Sequence, residues 1–210
     1  MVQNSLLPLA DFERIFQVAH SVLKMSGSQV THRSCVFFVS IGSAILERDY
    51  GMVTQFYAGS FAMMVNANQR KAVAYGRLED GDLVSDEKHF HAWVESGGWF
   101  IDFAAPLLGA SAAASGCVWD DPTKMLQKRM AEGKRSFKEV RETGDFYFAR
   151  NLSLTAHVIR SQGEDFARPW EAALRWYRRP PSPLPEQTLR PGQGSATTLV
   201  LQALALHDAW

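Results

Sequence analysis

His89-Phe90-His91-Ala92-Trp93-Val94-Glu95-Ser96-Gly97-Gly98-Trp99-Phe100-Ile101-Asp102-Phe103 is the stretch on which the reading of this chain rests. Two runs of aromatic and β-branched residues flank Gly97-Gly98, a pair suited to a two-residue hairpin loop in which both positions need positive φ. With those glycines in the loop, Ser96 faces Trp99, Trp93 faces Asp102 and His91 faces Ala104. Side chains alternate along a strand, so His91, Trp93 and Asp102 share one side of the sheet. Asp102 becomes the diagonal neighbour of His91, at roughly 7–8 Å between backbones and within side-chain reach. A loop of two or four residues preserves this parity, whereas three residues put Asp102 on the opposite face. A carboxylate bound to one ring nitrogen fixes a histidine's tautomer and stabilises its charged form, which leaves the other nitrogen free to take a proton.

Upstream, Ser34 can cap a helix from Cys35 to about Arg48 that is apolar on nearly every side at Val36, Phe37, Phe38, Val39, Ile41, Ala44, Ile45 and Leu46, and is therefore buried. Cys35 then sits in the first turn, where unpaired N–H groups and the positive dipole end favour a thiolate. A nucleophile at a helix start, a base on one strand and an orienting carboxylate on the next fill the three roles of acyl transfer through a thioester. An earlier helix, capped by Asp11 and ended by Gly27, carries Phe12, Ile15, Phe16, Ala19, Val22 and Leu23 at helical spacing. Met52 to Val65 and Lys71 to Gly76 read as strands, and Glu79 to Lys88 as a polar loop.

Downstream, the pattern predicts a charged helix from Pro122 to Lys138, a strand over Asp145 to Arg160, and a short helix from Arg168 to Tyr177 opened by Pro169. Arg178 to Ser195 carries five prolines and reads as an extended arm. The apolar segment Thr198 to Leu206 must dock, either on the rest of the chain or on a second copy to make a homodimer.

A length of 210 residues suits one domain with an appendage, here an α+β domain at 1–177 and the arm with its apolar segment at 178–210. Lys plus Arg and Asp plus Glu balance at 22 each, so no global field draws the chain to nucleic acid or an anionic bilayer. No apolar run is long enough to span a membrane, and Asp11 and Glu13 interrupt the start too early for a secretory leader, so a cytoplasmic location is expected. Two cysteines, Cys35 and Cys117, are too few for a disulfide framework.

Taken together, Cys35 at the start of a buried helix, Arg48-Asp49-Tyr50-Gly51-Met52 leading into strands with a glycine at 59, His91-x-Trp93-x-Glu95 and Trp99-x-x-Asp102 resemble the transglutaminase-like branch of the papain-like superfamily. That branch includes bacterial transglutaminase-like peptidases and is related to arylamine N-acetyltransferases. The resemblance covers residues 29 to 106. It implies a cysteine-proteinase-like α+β fold, with the nucleophile-bearing helix packed on an antiparallel sheet. Cys35 is then the nucleophile, His91 the general base and acid, and Asp102 the residue that orients His91, while Trp93 and Glu95 are structural. The substrate is a small-molecule or peptide acyl donor, with no metal and no organic cofactor. Gln29 stands six residues before Cys35, a spacing similar to that of the papain oxyanion-hole glutamine. The segment Gln29-Val30-Thr31-His32-Arg33-Ser34 departs from both the acetyltransferase and the common transglutaminase patterns, so no substrate is implied.

Plainer readings stand beside these. A cysteine opening an apolar helix is commonly a packed small hydrophobe, and His91 with Asp102 can be a buried structural pair in a non-catalytic binding or scaffold protein. His89-x-His91 with a nearby carboxylate is also a zinc-ligand pattern. Trp93, Trp99, Phe100 and Phe103 are expected in the core, and Cys117 is an incidental thiol.

Overall fold

Helix α1 (Leu9–Met25) and helix α2 (Ser34–Tyr50) come first, followed by strands β1 (Gln55–Asn66), β2 (Lys71–Tyr75), β3 (Arg77–Glu79), β4 (Asp82–Val84), β5 (His91–Ser96) and β6 (Trp99–Asp102). A 3-10 turn (Ala105–Leu107) leads into helix α3 (Leu108–Ala114), then β7 (Lys124–Arg129), β8 (Phe146–Arg150), α4 (Leu152–Arg160), α5 (Glu164–Trp176), β9 (Thr188–Leu189), β10 (Thr197–Thr198) and β11 (Asp208–Ala209). The computed structural model describes residues 5–26, 34–114, 116–190, 195–202 and 204–210.

The main sheet is mixed, in the order β11-β7-β6-β5-β1-β2 with β8 also paired to β1, and every pairing is antiparallel except that of β11 with β7. Both faces are covered. Ala92 and Val94 of β5 and Ile101 of β6 join the apolar side chains of α1 and α2 in one core. Their neighbours Trp93 and Phe100 point the other way, into a second core with Phe61, Met63, Leu126 and Phe146. The fold class is α+β, as expected.

The long strand β1 organises the sheet. Gly59 pairs with both His91 and Arg150, and Phe61 pairs with both Tyr75 and Phe148, so β8 lies along one edge while β5 and β2 succeed each other along the other. A break in that edge falls between Tyr75, at the end of β2, and His91, at the start of β5.

Several local expectations are corrected. Asp11 does not cap α1; it lies inside the helix, buried, and accepts a 2.5 Å hydrogen bond from the Tyr50 hydroxyl. Gly27, the expected end of α1, lies outside the described residues. The Glu79–Lys88 loop contains half of a second hairpin, β3–β4. The predicted helix at 122–138 is instead β7, followed by 3-10 turns. Helix formers such as Lys124, Met125 and Leu126 yield here to the open edge of β6, which β7 covers in the register Trp99↔Arg129 to Asp102↔Leu126. Gln127, buried, exchanges hydrogen bonds with the Leu7 backbone and so anchors the chain ahead of α1 onto β7. The strand predicted over 145–160 stops at Arg150, because the Asn151 side chain caps α4 through the Leu154 N–H. Helix α5 begins five residues before Pro169 rather than at it.

The C-terminal segment docks on its own chain. Leu199 and Leu206 are buried in the helix-side core, Gln202 bonds Ser21 and His20 of α1, and the Leu206 N–H donates to Glu13.

Gly59 is a packing requirement: a Cβ there would stand 1.9 Å from the Ala149 carbonyl oxygen and 3.0 Å from the Trp93 ring. Replacing Gly59 by Ala is expected to lower stability by about 1–3 kcal/mol, the usual cost of overpacking. A urea midpoint unchanged from wild type would show that β1 and β8 can part without penalty.

Candidate active site

The hairpin register is the one that the glycine pair predicts. Gly97 and Gly98 take φ of 54° and 80°, and Ser96↔Trp99, Glu95↔Phe100 and Val94↔Ile101 pair across β5 and β6. The loop has two residues, so Asp102 stays on the His91 face. Its Oδ2 lies 2.7 Å from His91 Nε2, with both side chains buried. The other oxygen, Oδ1, accepts from the Ala104 N–H at 2.8 Å, so the turn after β6 holds the carboxylate in place.

With Nε2 engaged, Nδ1 is the nitrogen left for the thiol, and the Cys35 side chain hydrogen-bonds His91. Cys35 is the second residue of α2 and is buried. Helix α2 covers the sheet face opposite His91, so the contact crosses the sheet at the break between β2 and β5. The structure thus gathers Cys35, His91 and Asp102 into one chain of contacts. Gln29 lies outside the described residues and has no place in this geometry.

Burial by itself lowers the pKa of His91, but the charge and hydrogen bond of Asp102, with a smaller contribution from Cys35, outweigh it and hold the imidazole up to about 10. The favoured state at neutral pH is therefore an imidazolium beside a carboxylate.

Three residues of the site carried no signal in the sequence. Tyr75 stacks on the imidazole, with ring centres 4.6 Å apart and 21° between planes, and Phe61 lies 5.2 Å from it. The Tyr75 phenol hydrogen-bonds Ser111 of α3, and burial pushes its pKa up to about 12. The third is Arg150 on β8, which forms a two-pronged pair with Glu95, with Nε to Oε1 at 2.8 Å; Glu95 Oε1 also accepts from Trp93 Nε1 at 3.0 Å. Glu95 and Trp93 thus tie β5 to β8 on the face that carries His91. A strand-paired partner far along the chain leaves no periodic trace, so none of the three was visible before the register of β1 was known.

His89 does not join His91. It lies before β5, half exposed, and faces Asp86 at 3.0 Å. Among the described residues no three metal-ligating side chains gather. Trp93, Trp99, Phe100 and Phe103 are all in the core, and Cys117 is exposed.

A family model described as "Protein of unknown function (DUF2026)" matches residues 8–210. The chain belongs to this family. The match runs through the C-terminal segment, in keeping with the place of β11 in the main sheet. A solved crystal structure, that of the genomics target APC5867, is similar to it at 22% identity with a TM-score of 0.83, covering 99% of this chain and 98% of that one. At that identity the likeness shows a shared fold. No curated protein matches the chain. Among the described residues no helix is long and apolar enough to cross a membrane.

Because His91 holds its proton more tightly when folded, its contribution to stability is complete below the unfolded value of 6.5 and is lost as pH rises through about 10. Asp102→Asn is expected to cost on the order of 3 kcal/mol near pH 6.5, by stripping a buried cation of its partner. The difference between wild type and variant should shrink toward pH 10. Urea titrations across that range check this, and parallel curves would mean that the carboxylate does not hold the proton.

Proposed function

We propose that the chain is a thiol-dependent acyl-transfer enzyme with a cysteine-proteinase-like fold, in which Cys35 is the nucleophile, His91 the proton carrier and Asp102 its orienting partner. The observation that carries this reading is the continuous buried contact from thiol to imidazole to carboxylate, assembled from a helix start and two adjacent strands. Such an arrangement supplies the parts of thioester chemistry. The Cys35 sulfur attacks the carbonyl carbon of an amide or ester, and electrons move onto the carbonyl oxygen. As they return, the bond to the leaving group breaks and His91 gives that group its proton. Water or an amine then attacks the thioester, His91 takes its proton, and the thiolate departs. Neither step calls for a metal or organic cofactor. Hydrolase, transglutaminase-like and arylamine N-acetyltransferase-like reactions share this course and differ in the acceptor, so the substrate is stated only as a small-molecule or peptide acyl donor.

One observation favours a second reading. Cys35 is only 6% exposed and His91 2%, which suits a hydrogen-bonded trio sealed in a binding or scaffold protein that keeps the fold without the chemistry.

Alkylation separates the two, with exposed Cys117 as the internal reference. An activated Cys35 should react with iodoacetamide at pH 7 faster than Cys117 despite its burial, and His91→Ala should slow Cys35 by roughly tenfold or more without affecting Cys117. A Cys35 slower than Cys117 at every pH, and silent toward electrophilic acyl probes, would fit the scaffold and end the enzymatic reading.

A further inference from the structure

A cavity of about 230 Å³ opens between α3 and the segment that leads into β7. Two indoles, Trp119 and Trp210, wall it together with Pro106, Ala110 and Leu204. Trp119 is set by two fixed contacts. Its Nε1 donates to the Asp121 carbonyl, and its ring lies so close to Gly109 that a Cβ there would stand 2.6 Å from it. Flat aromatic walls of this kind accept a flat apolar body.

Beside the Thr123 hydroxyl, which can donate or accept, the residues lining the cavity bring two groups that only donate. Lys124 contributes its ammonium, 4.7 Å above the Trp210 ring centre. Among the described residues no carboxylate forms an ion pair with it: Asp120 and Asp121 are both engaged by Lys71, and Asp208, which stands opposite Lys124 on β11, forms none. The second donor is the Trp210 indole N–H, which is buried and has no hydrogen-bond partner among the described residues. A buried donor without an acceptor is costly, and an ammonium beside apolar rings attracts an anion. Because the ammonium lies over the ring that carries the N–H, one carboxylate, with two acceptor oxygens, can serve both once a slight turn of the indole uncovers the N–H, which is covered as the ring stands.

The geometry points to this cavity as a binding site for a small aromatic carboxylate, with its ring between the two indoles and its carboxylate toward Lys124 and the Trp210 N–H. The site does not depend on the thiol chemistry proposed above. It does adjoin that site, since Ala105 and Pro106 follow the Asp102 turn and Ser111 of α3 bonds the phenol stacked on His91.

The probes are benzoate and its neutral isostere benzamide, titrated into the full chain by calorimetry and by tryptophan fluorescence. Benzoate should bind saturably with one site per chain, and benzamide roughly ten- to hundredfold more weakly, as loss of a charge-assisted bond predicts. Lys124→Gln should bring benzoate down to the benzamide level, and Trp210→Phe, which keeps a ring and removes the donor, should weaken benzoate several-fold. Both variants should retain the wild-type urea midpoint and Cys35 labelling rate. Saturable binding that ignores charge, benzoate affinity unchanged in Lys124→Gln, or no saturation by benzoate would each overturn the assignment. Because the alkylation rate of Cys35 is read separately, failure here leaves the acyl-transfer reading standing, and the reverse also holds.

Discussion

The architecture turns on one buried contact, the 2.7 Å hydrogen bond between Asp102 and His91. Taking two charges out of water costs several kcal/mol per ion, and well-packed apolar residues in their place are often at least as stable. Such a pair therefore does not explain itself as a source of stability. It does impose register. A slip of one residue between β5 and β6 would send Asp102 to the helix-side core and leave His91 buried without a counter-charge. The Gly97-Gly98 loop acts against that slip by fixing the length of the turn, while the Ala104 N–H holds the carboxylate and the Trp93–Glu95–Arg150 clamp ties β5 to β8.

What the sequence disclosed follows from how local each determinant is. The hairpin was legible because two adjacent glycines fix loop length and loop length fixes parity, and the burial of α2 because its apolar residues surround the helix. The errors lie where distant parts of the chain decide. Lys124 to Arg129 contains good helix formers, and only the open edge of β6 makes it a strand. Asn151 is a local signal of the change from β8 to α4, a capping residue in the middle of an alternating run. Of the site, the pairing of His91 with Asp102 could be derived from spacing alone. The approach of Cys35 could not, because it depends on where α2 lies relative to a sheet that had yet to be assembled. Tyr75 and Phe61 were hidden for the same reason, since both reach His91 through the register of β1.

That register also resolves a difficulty in the site's geometry. Helix α2 packs on the face of β5 that carries Ala92 and Val94, while His91 and Asp102 point to the other face, so an unbroken sheet would separate thiol from imidazole. The sheet is not continuous there. Along one edge of β1 the partner changes from β5 to β2 between Gly59 and Phe61, and His91 is the first residue of β5. A base at the end of a strand, beside a gap, can be approached from the opposite face by a residue in the first turn of a helix. Placed two residues further along β5, at the position of Trp93, the same histidine would lie behind paired backbone and out of reach. The gap exposes the imidazole as well as admitting the thiol, and the stacked ring of Tyr75 closes that side. The position of His91 at the start of β5, rather than its presence in the hairpin, is what makes contact with Cys35 geometrically possible.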